Sequence, residues 1–174
     1  MTRKRKLSIF LLAVTAIVAW TVLTPVNMSD RAMIKRFSDH RDAMEKLRIM
    51  AAEDRKVIRI ANDFTWIEGN PNWPRPLSML GFSMERWEVY KTLFKKASIR
   101  EGISRTQDLP DAIFFIASAS GLVTGGSEKG YAFLPAVPAK VYDSLDKLPA
   151  DSKSNIPSFK HLDGNWYLYS SWDD

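Results

Sequence analysis

Asp63 and Glu68 are the carboxylates best placed for chemistry. They bracket Phe64-Thr65-Trp66-Ile67, and an indole offers a sugar ring a flat apolar face. Glycoside hydrolysis needs two carboxyl groups about 5–10 Å apart across the bond they cleave. The pair therefore defines one expectation, a cell-wall glycan hydrolase. A second set, by residue type, is Ser120, His161 and Asp163: a nucleophile, a base and an orienting acid. The Gly-x-Ser-x-Gly turn that would expose such a serine is absent around Ser120. The run Gly121–Gly130, GLVTGGSEKG, has the glycine content of a phosphate cradle. It lacks the Walker order, and strand-like residues follow it where a phosphate loop would open a helix. A hairpin connection whose glycines supply positive φ accounts for it better. His40 and His161 are the two histidines, without HExxH spacing, and no EF-hand spacing occurs. No catalytic, cofactor-binding or metal residue is assigned, and the sequence implies no cofactor.

The remaining chemistry is aromatic. Trp66 and Trp73 lie in a segment where Pro71, Pro74 and Pro76 exclude a helix and favour extended backbone. In the C-terminal run, alternation puts Trp166, Leu168 and Ser170 on one strand face, with Tyr167 and Tyr169 on the other. If the first face meets the core, the second shows its tyrosines to solvent or to a partner. Tyr and Trp are frequent interface anchors. Trp66, Trp73, Tyr167 and Tyr169 are thus the candidate partner or ligand surface.

The elements that must carry these residues can be read in order. Ser29 and Asp30 are N-cap types, and a helix is expected from there to about Arg55. Met33, Phe37, Met44, Leu47 and Ala51 recur at helical spacing, a stripe that suits core packing better than a short coiled-coil seam. Val57–Ile60 reads as a strand or the tail of that helix. Ser83 caps a second helix, with Glu85 in its first turn and Trp87, Tyr90, Phe94 and Ala97 on its apolar face. After Pro110 the period changes. Ala112–Ala117, Leu122–Thr124 and Tyr131–Leu134 read as strand segments, with a turn or short helix near Ser144–Lys147. Ser158–Leu162 and Trp166–Ser170 flank Asp163-Gly164, a strong hairpin signal. Helices first and antiparallel strands last predict an α+β domain, with helices packed on one face of a mostly antiparallel sheet.

Residues 7–26, LSIFLLAVTAIVAWTVLTPV, contain no charged side chain. About 20 such residues, at a rise of 1.5 Å, span a hydrocarbon core of about 30 Å, and a helix is the one single segment able to do so. Trp20 falls where an aromatic belt would lie, and Pro25 stops the helix. A cleaved signal peptide has a similar flank. The apolar run here exceeds its usual core, and no small-x-small cleavage site follows Trp20. A buried soluble helix would normally show a polar stripe. Arg3, Lys4, Arg5 and Lys6 precede the run and hold that end in the cytoplasm. The expected organisation is a basic cytoplasmic tail at 1–6, a transmembrane anchor helix at 7–26 and an exoplasmic domain at 27–174. In a bacterium this is an inner-membrane protein with a periplasmic domain. Asn27-Met28-Ser29 fits a glycosylation sequon but lies close against the membrane.

Those four basic residues also account for the net charge of +5. They are four of 25, which leaves 21 basic against 20 acidic residues in the remainder. With Lys and Arg interleaved among Asp and Glu, no basic face is available for nucleic acid. The chain has no cysteine. That excludes disulfides, thiolate catalysis, Cys-ligated metal sites and a lipidated-cysteine anchor.

Taken together, Asp63-Phe64-Thr65-Trp66, Trp73-Pro74-Arg75-Pro76, Gly81-Phe82-Ser83, Phe115-Ile116-Ala117-Ser118, Gly130-Tyr131 and Gly164–Tyr169 resemble a group of uncharacterised bacterial membrane-anchored or lipoprotein-like envelope proteins. The likeness spans most of the part beyond the anchor and carries no known activity. The expected partners are the lipid bilayer, through residues 7–26, and another envelope protein. The expected role is a non-enzymatic binding module of the immunity or inhibitor type. The glycan hydrolase is the alternative, and an envelope assembly protein a third class.

Overall fold

A computed structural model describes residues 28–68, 81–106, 109, 111–122, 125–148 and 156–173. The basic tail, the run 7–26 and Trp73 lie outside the described residues. Among the described residues, no helix is long and apolar enough to cross a membrane.

Among the described residues, three helices and seven strands build an α+β architecture. Helix α1 spans Asp30–Asp39 and α2 spans Arg41–Glu53, so the long expected helix is broken at His40, whose φ of −125° leaves the helical range. The apolar stripe runs across the break: Met33, Phe37, Met44, Leu47 and Ala51 are all buried in one core. Ser29 caps α1 by accepting from the Ala32 N–H. Strands β1 (Val57–Ile60) and β2 (Thr65–Ile67) follow. Helix α3, Met84–Ala97, is capped by Ser83 as the sequence indicates, and it buries Trp87, Tyr90, Leu93, Phe94 and Ala97.

The remaining strands are β3 (Gly102–Ser104), β4 (Ile113–Leu122), β5 (Gly125–Phe133), β6 (Ser158–Asp163) and β7 (Trp166–Asp173). They form one antiparallel sheet in the order β2-β1-β3-β4-β5-β7-β6. Gly164, at φ +54°, opens the two-residue turn between β6 and β7, where a side chain would be strained. The glycine-rich run expected to be a connection is mostly strand, since β4 and β5 stay paired out to Leu122 and Gly125. Gly130 is a place of close approach. A Cβ there would stand 2.2 Å from the Phe115 carbonyl oxygen and 2.7 Å from the Tyr169 ring.

All three helices lie on one sheet face. Phe37, Met44, Leu47, Tyr90 and Phe94 share a core with Val57, Ile103, Phe115, Tyr131, Trp166 and Leu168. Trp166 is its hub. Its ring centre lies 5.2 Å from those of Phe37 and Phe115 and 5.4 Å from that of Phe133, and its indole N–H donates to Glu45 at 2.8 Å. Each such large side chain contributes about 1.5–3 kcal/mol by burial. The other face carries a second cluster: Phe114, Ile116, Ala132, Leu134, Phe159, Tyr167 and Tyr169. A strap from Leu134 to Leu145 passes around the β6 edge. Val141 bridges Phe159 there, and the strap ends in the helix-side core.

Candidate functional site

The alternation in β7 divides its side chains as expected, but the tyrosine face is not a surface. Tyr167 and Tyr169 are 3% and 1% exposed. The Tyr169 ring packs edge-on against Phe114 at 5.0 Å, and its hydroxyl donates to Glu128 at 3.1 Å. Burial, reinforced by the Glu128 charge, pushes the Tyr169 phenol well above its ordinary value. Tyr167 packs against Phe159 and His161. The expectation that these two rings face a partner is corrected: a second apolar cluster takes them in.

Trp66 is different. It stands 44% exposed between buried Thr65 and Ile67 on β2, the first strand of the sheet order. Register places it beside Arg59 of β1, and Arg59 in turn beside Ser104 of β3. A register shift between Val57 and Arg59 lets Val57 and Ile60 both reach the helix-side core and turns Arg59 to the opposite face. Ile58, Arg59, Phe64, Trp66, Ser104 and Arg105 line a cavity of about 210 Å³. The Arg59 guanidinium carbon lies 5.9 Å from the Phe64 ring centre, a cation–π distance. Arg105 turns its head elsewhere, donating to the Ala51 carbonyl at the end of α2. Burial holds the Arg105 guanidinium below its ordinary value.

Arg59 is the residue that reading the sequence missed. Its Nη1 is buried and has no hydrogen-bond partner. No ion pair among the described residues includes it. Its cross-strand neighbour Ser104 is distant in the chain, so local patterning could not place it. The available signal was a lone cation between Ile58 and Ile60.

A second polar site is fully compensated. Lys129 Nζ lies 2.8 Å from Asp30 Oδ1 and 2.6 Å from Asp146 Oδ1. The first contact is ionic, off the hydrogen-bonding direction. Asp30 Oδ2 accepts from the Leu145 N–H at 2.8 Å and from Ser144 Oγ at 3.1 Å, and the Asp30 N–H donates to Asp146 at 2.9 Å. Burial opposes ionisation of Asp30, but the adjacent Lys129 ammonium and the Leu145 N–H outweigh it and hold the carboxyl below its ordinary value. This lock ties the first turn of α1 to the strap and to β5.

The other chemical candidates are not brought together. Asp63 and Glu68 are both exposed, at opposite ends of β2. Asp63 sits in the bend that leads into β2 and Glu68 in the turn that leaves it, with the whole strand Thr65–Ile67 between them. Ser120 Oγ pairs with Ser127 Oγ at 2.8 Å. His161 shares a cross-strand row with Tyr167, Ala132 and Phe114, and Ser120 lies six positions along β4 from that row. That displacement alone is about 20 Å. Asp163 is engaged by Arg41 at 2.8 Å. Among the described residues, no group of three metal-ligating side chains forms. No family model, curated protein or solved structure matches the chain.

Proposed function

We propose that the chain is a single-pass membrane protein of the bacterial inner membrane and that its α+β domain is a periplasmic binding module. Residues 7–26 cross the bilayer, the basic tail stays in the cytoplasm, and the domain recognises another envelope protein through the Trp66 edge. It acts by binding, as an inhibitor or immunity-type protein does, without turnover.

One observation carries the reading. Asp30 follows the uncharged run by four residues, and its side chain and N–H are bound to Lys129, Ser144, Leu145 and Asp146. A tether ending there has almost no slack: at about 3.5 Å per residue, the domain is held within about 14 Å of the bilayer. Trp66 then supplies an exposed aromatic of the kind that anchors interfaces.

The test is a photo-crosslinker at position 66 in intact cells, joined to a protease-protection assay on spheroplasts. The expected results are a discrete cross-linked partner and digestion of the domain from the outside. Protection of the domain in spheroplasts, or release of the full-length chain by alkaline carbonate, would overturn the tether. Repeated absence of any cross-linked protein would overturn the recognition role.

A further inference from the structure

A guanidinium atom that is buried with neither a hydrogen-bond partner nor a counter-charge is costly, because protein interiors satisfy such groups almost without exception. Arg59 Nη1 is in this condition. Apart from Asp30 Oδ1, which faces an ammonium at 2.8 Å, it is the one buried side-chain nitrogen or oxygen among the described residues with no partner. Glu128, the carboxylate bound by the Tyr169 hydroxyl on the same sheet face, makes no ion pair with it. The segment following β2, residues 69–80, contains no acidic residue.

We propose that the cavity lined by Arg59, Phe64, Trp66 and Ser104 is an oxyanion subsite that takes a carboxylate with an apolar ring beside it. The proposal rests on the reading of the Trp66 edge as a recognition surface and names what that surface accepts. A guanidinium fork matches the two oxygens of a carboxylate. One unpaired cation balances one negative charge, which favours a carboxylate over a phosphate group carrying nearly two. The Phe64 ring centre lies 5.9 Å from the cation and Trp66 lines the same cavity, so a ring attached to the carboxylate would have aromatic neighbours there. Ser104 adds a hydroxyl. About 210 Å³ admits a group of this size and little more.

The experiment is a calorimetric titration of the full chain in detergent micelles with sodium benzoate, acetate and inorganic phosphate. Arg59→Gln, Arg59→Lys and Trp66→Ala are titrated alongside, each checked for an intact unfolding transition. Benzoate is expected to saturate in the millimolar range, with acetate about 10-fold weaker for want of the ring. Arg59→Gln abolishes saturation, Arg59→Lys retains part of it, and Trp66→Ala weakens benzoate but not acetate. Benzoate bound equally by folded Arg59→Gln overturns the site. Phosphate bound more tightly than benzoate overturns the carboxylate assignment. No saturation by any probe overturns the subsite and leaves a trapped water as the partner of Nη1. That last result together with a cross-linked partner at position 66 removes this inference alone. Benzoate binding without any cross-linked partner removes the protein-recognition role and keeps the subsite.

Discussion

Lys129 on β5 and Arg59 on β1 are both cations drawn into the body of the protein, and they are treated in opposite ways. Lys129 is received by two carboxylates, one of which is itself held by a backbone N–H and a serine hydroxyl. Arg59 has an aromatic neighbour, a cavity and a nitrogen with nothing to donate to. A paired buried charge fixes one arrangement of the chain, because removing either member strands the other. An unpaired one lowers the stability of the empty state and rewards whatever fills it. The first belongs to the architecture, and the second is the cation of the proposed subsite.

The largest effect follows from breaking the paired cation. Lys129→Met leaves Asp30 and Asp146 facing each other without a counter-charge, and the expected loss is about 3–5 kcal/mol. Chemical denaturation of the full chain in micelles measures it. A loss below about 1 kcal/mol would mean that the lock is not structural.

Acid should act on the same lock from its other side. The Asp30 carboxyl lies below its ordinary value of 3.8 in the folded protein. The folded state therefore holds its proton less tightly than the unfolded chain does. Its contribution is complete above about pH 4 and declines as the pH falls through the depressed folded value. Stability measured at pH 6 and at pH 3 should differ less in Asp30→Asn than in the parent. An identical difference in the two would assign the acid sensitivity elsewhere.

How far this contrast could be read from the sequence differs by region. The helix-side core was legible, because Met33, Phe37, Met44, Leu47 and Ala51 advertise a 3.6-residue period, and Ser83 and Glu85 mark the start of α3. The break at His40 was not legible, since neither Pro nor Gly marks it. The faces of β7 were assigned correctly, but alternation says which residues share a side and not what covers that side. Phe114, Ile116 and Phe159 belong to other strands, and their meeting with Tyr167 and Tyr169 is a product of sheet order. The strands β4 and β5 outran their apolar segments because pairing with each other and with β7 overrides the poor strand propensity of Gly125-Gly126-Ser127. Trp66 was legible as an exposed aromatic. Arg59 was not, because its setting depends on a bulge and on pairing with Ser104.

A smaller effect probes the Tyr169 face of the sheet, on which Arg59 also stands. Tyr169→Phe keeps the ring against Phe114 and removes the hydroxyl that donates to Glu128. The expected cost is about 0.5–1.5 kcal/mol in the same denaturation assay. A loss several times larger would show that the hydroxyl organises more of this face than its one hydrogen bond.

The smallest effect is the sharpest. Arg59→Met is the same kind of change as Lys129→Met, a cation replaced by an unbranched apolar chain. Here it strands no partner, since no carboxylate pairs with Arg59. It also relieves a buried donor of its missing acceptor. The expected result is stability within about 1 kcal/mol of the parent, with any change toward greater stability. In the presence of saturating benzoate the order should reverse, because the parent gains ligand-linked stability that the variant cannot. If Arg59→Met instead costs as much as Lys129→Met with no ligand present, Arg59 is as fully compensated as Lys129, and the distinction between an architectural and a receptive cation fails.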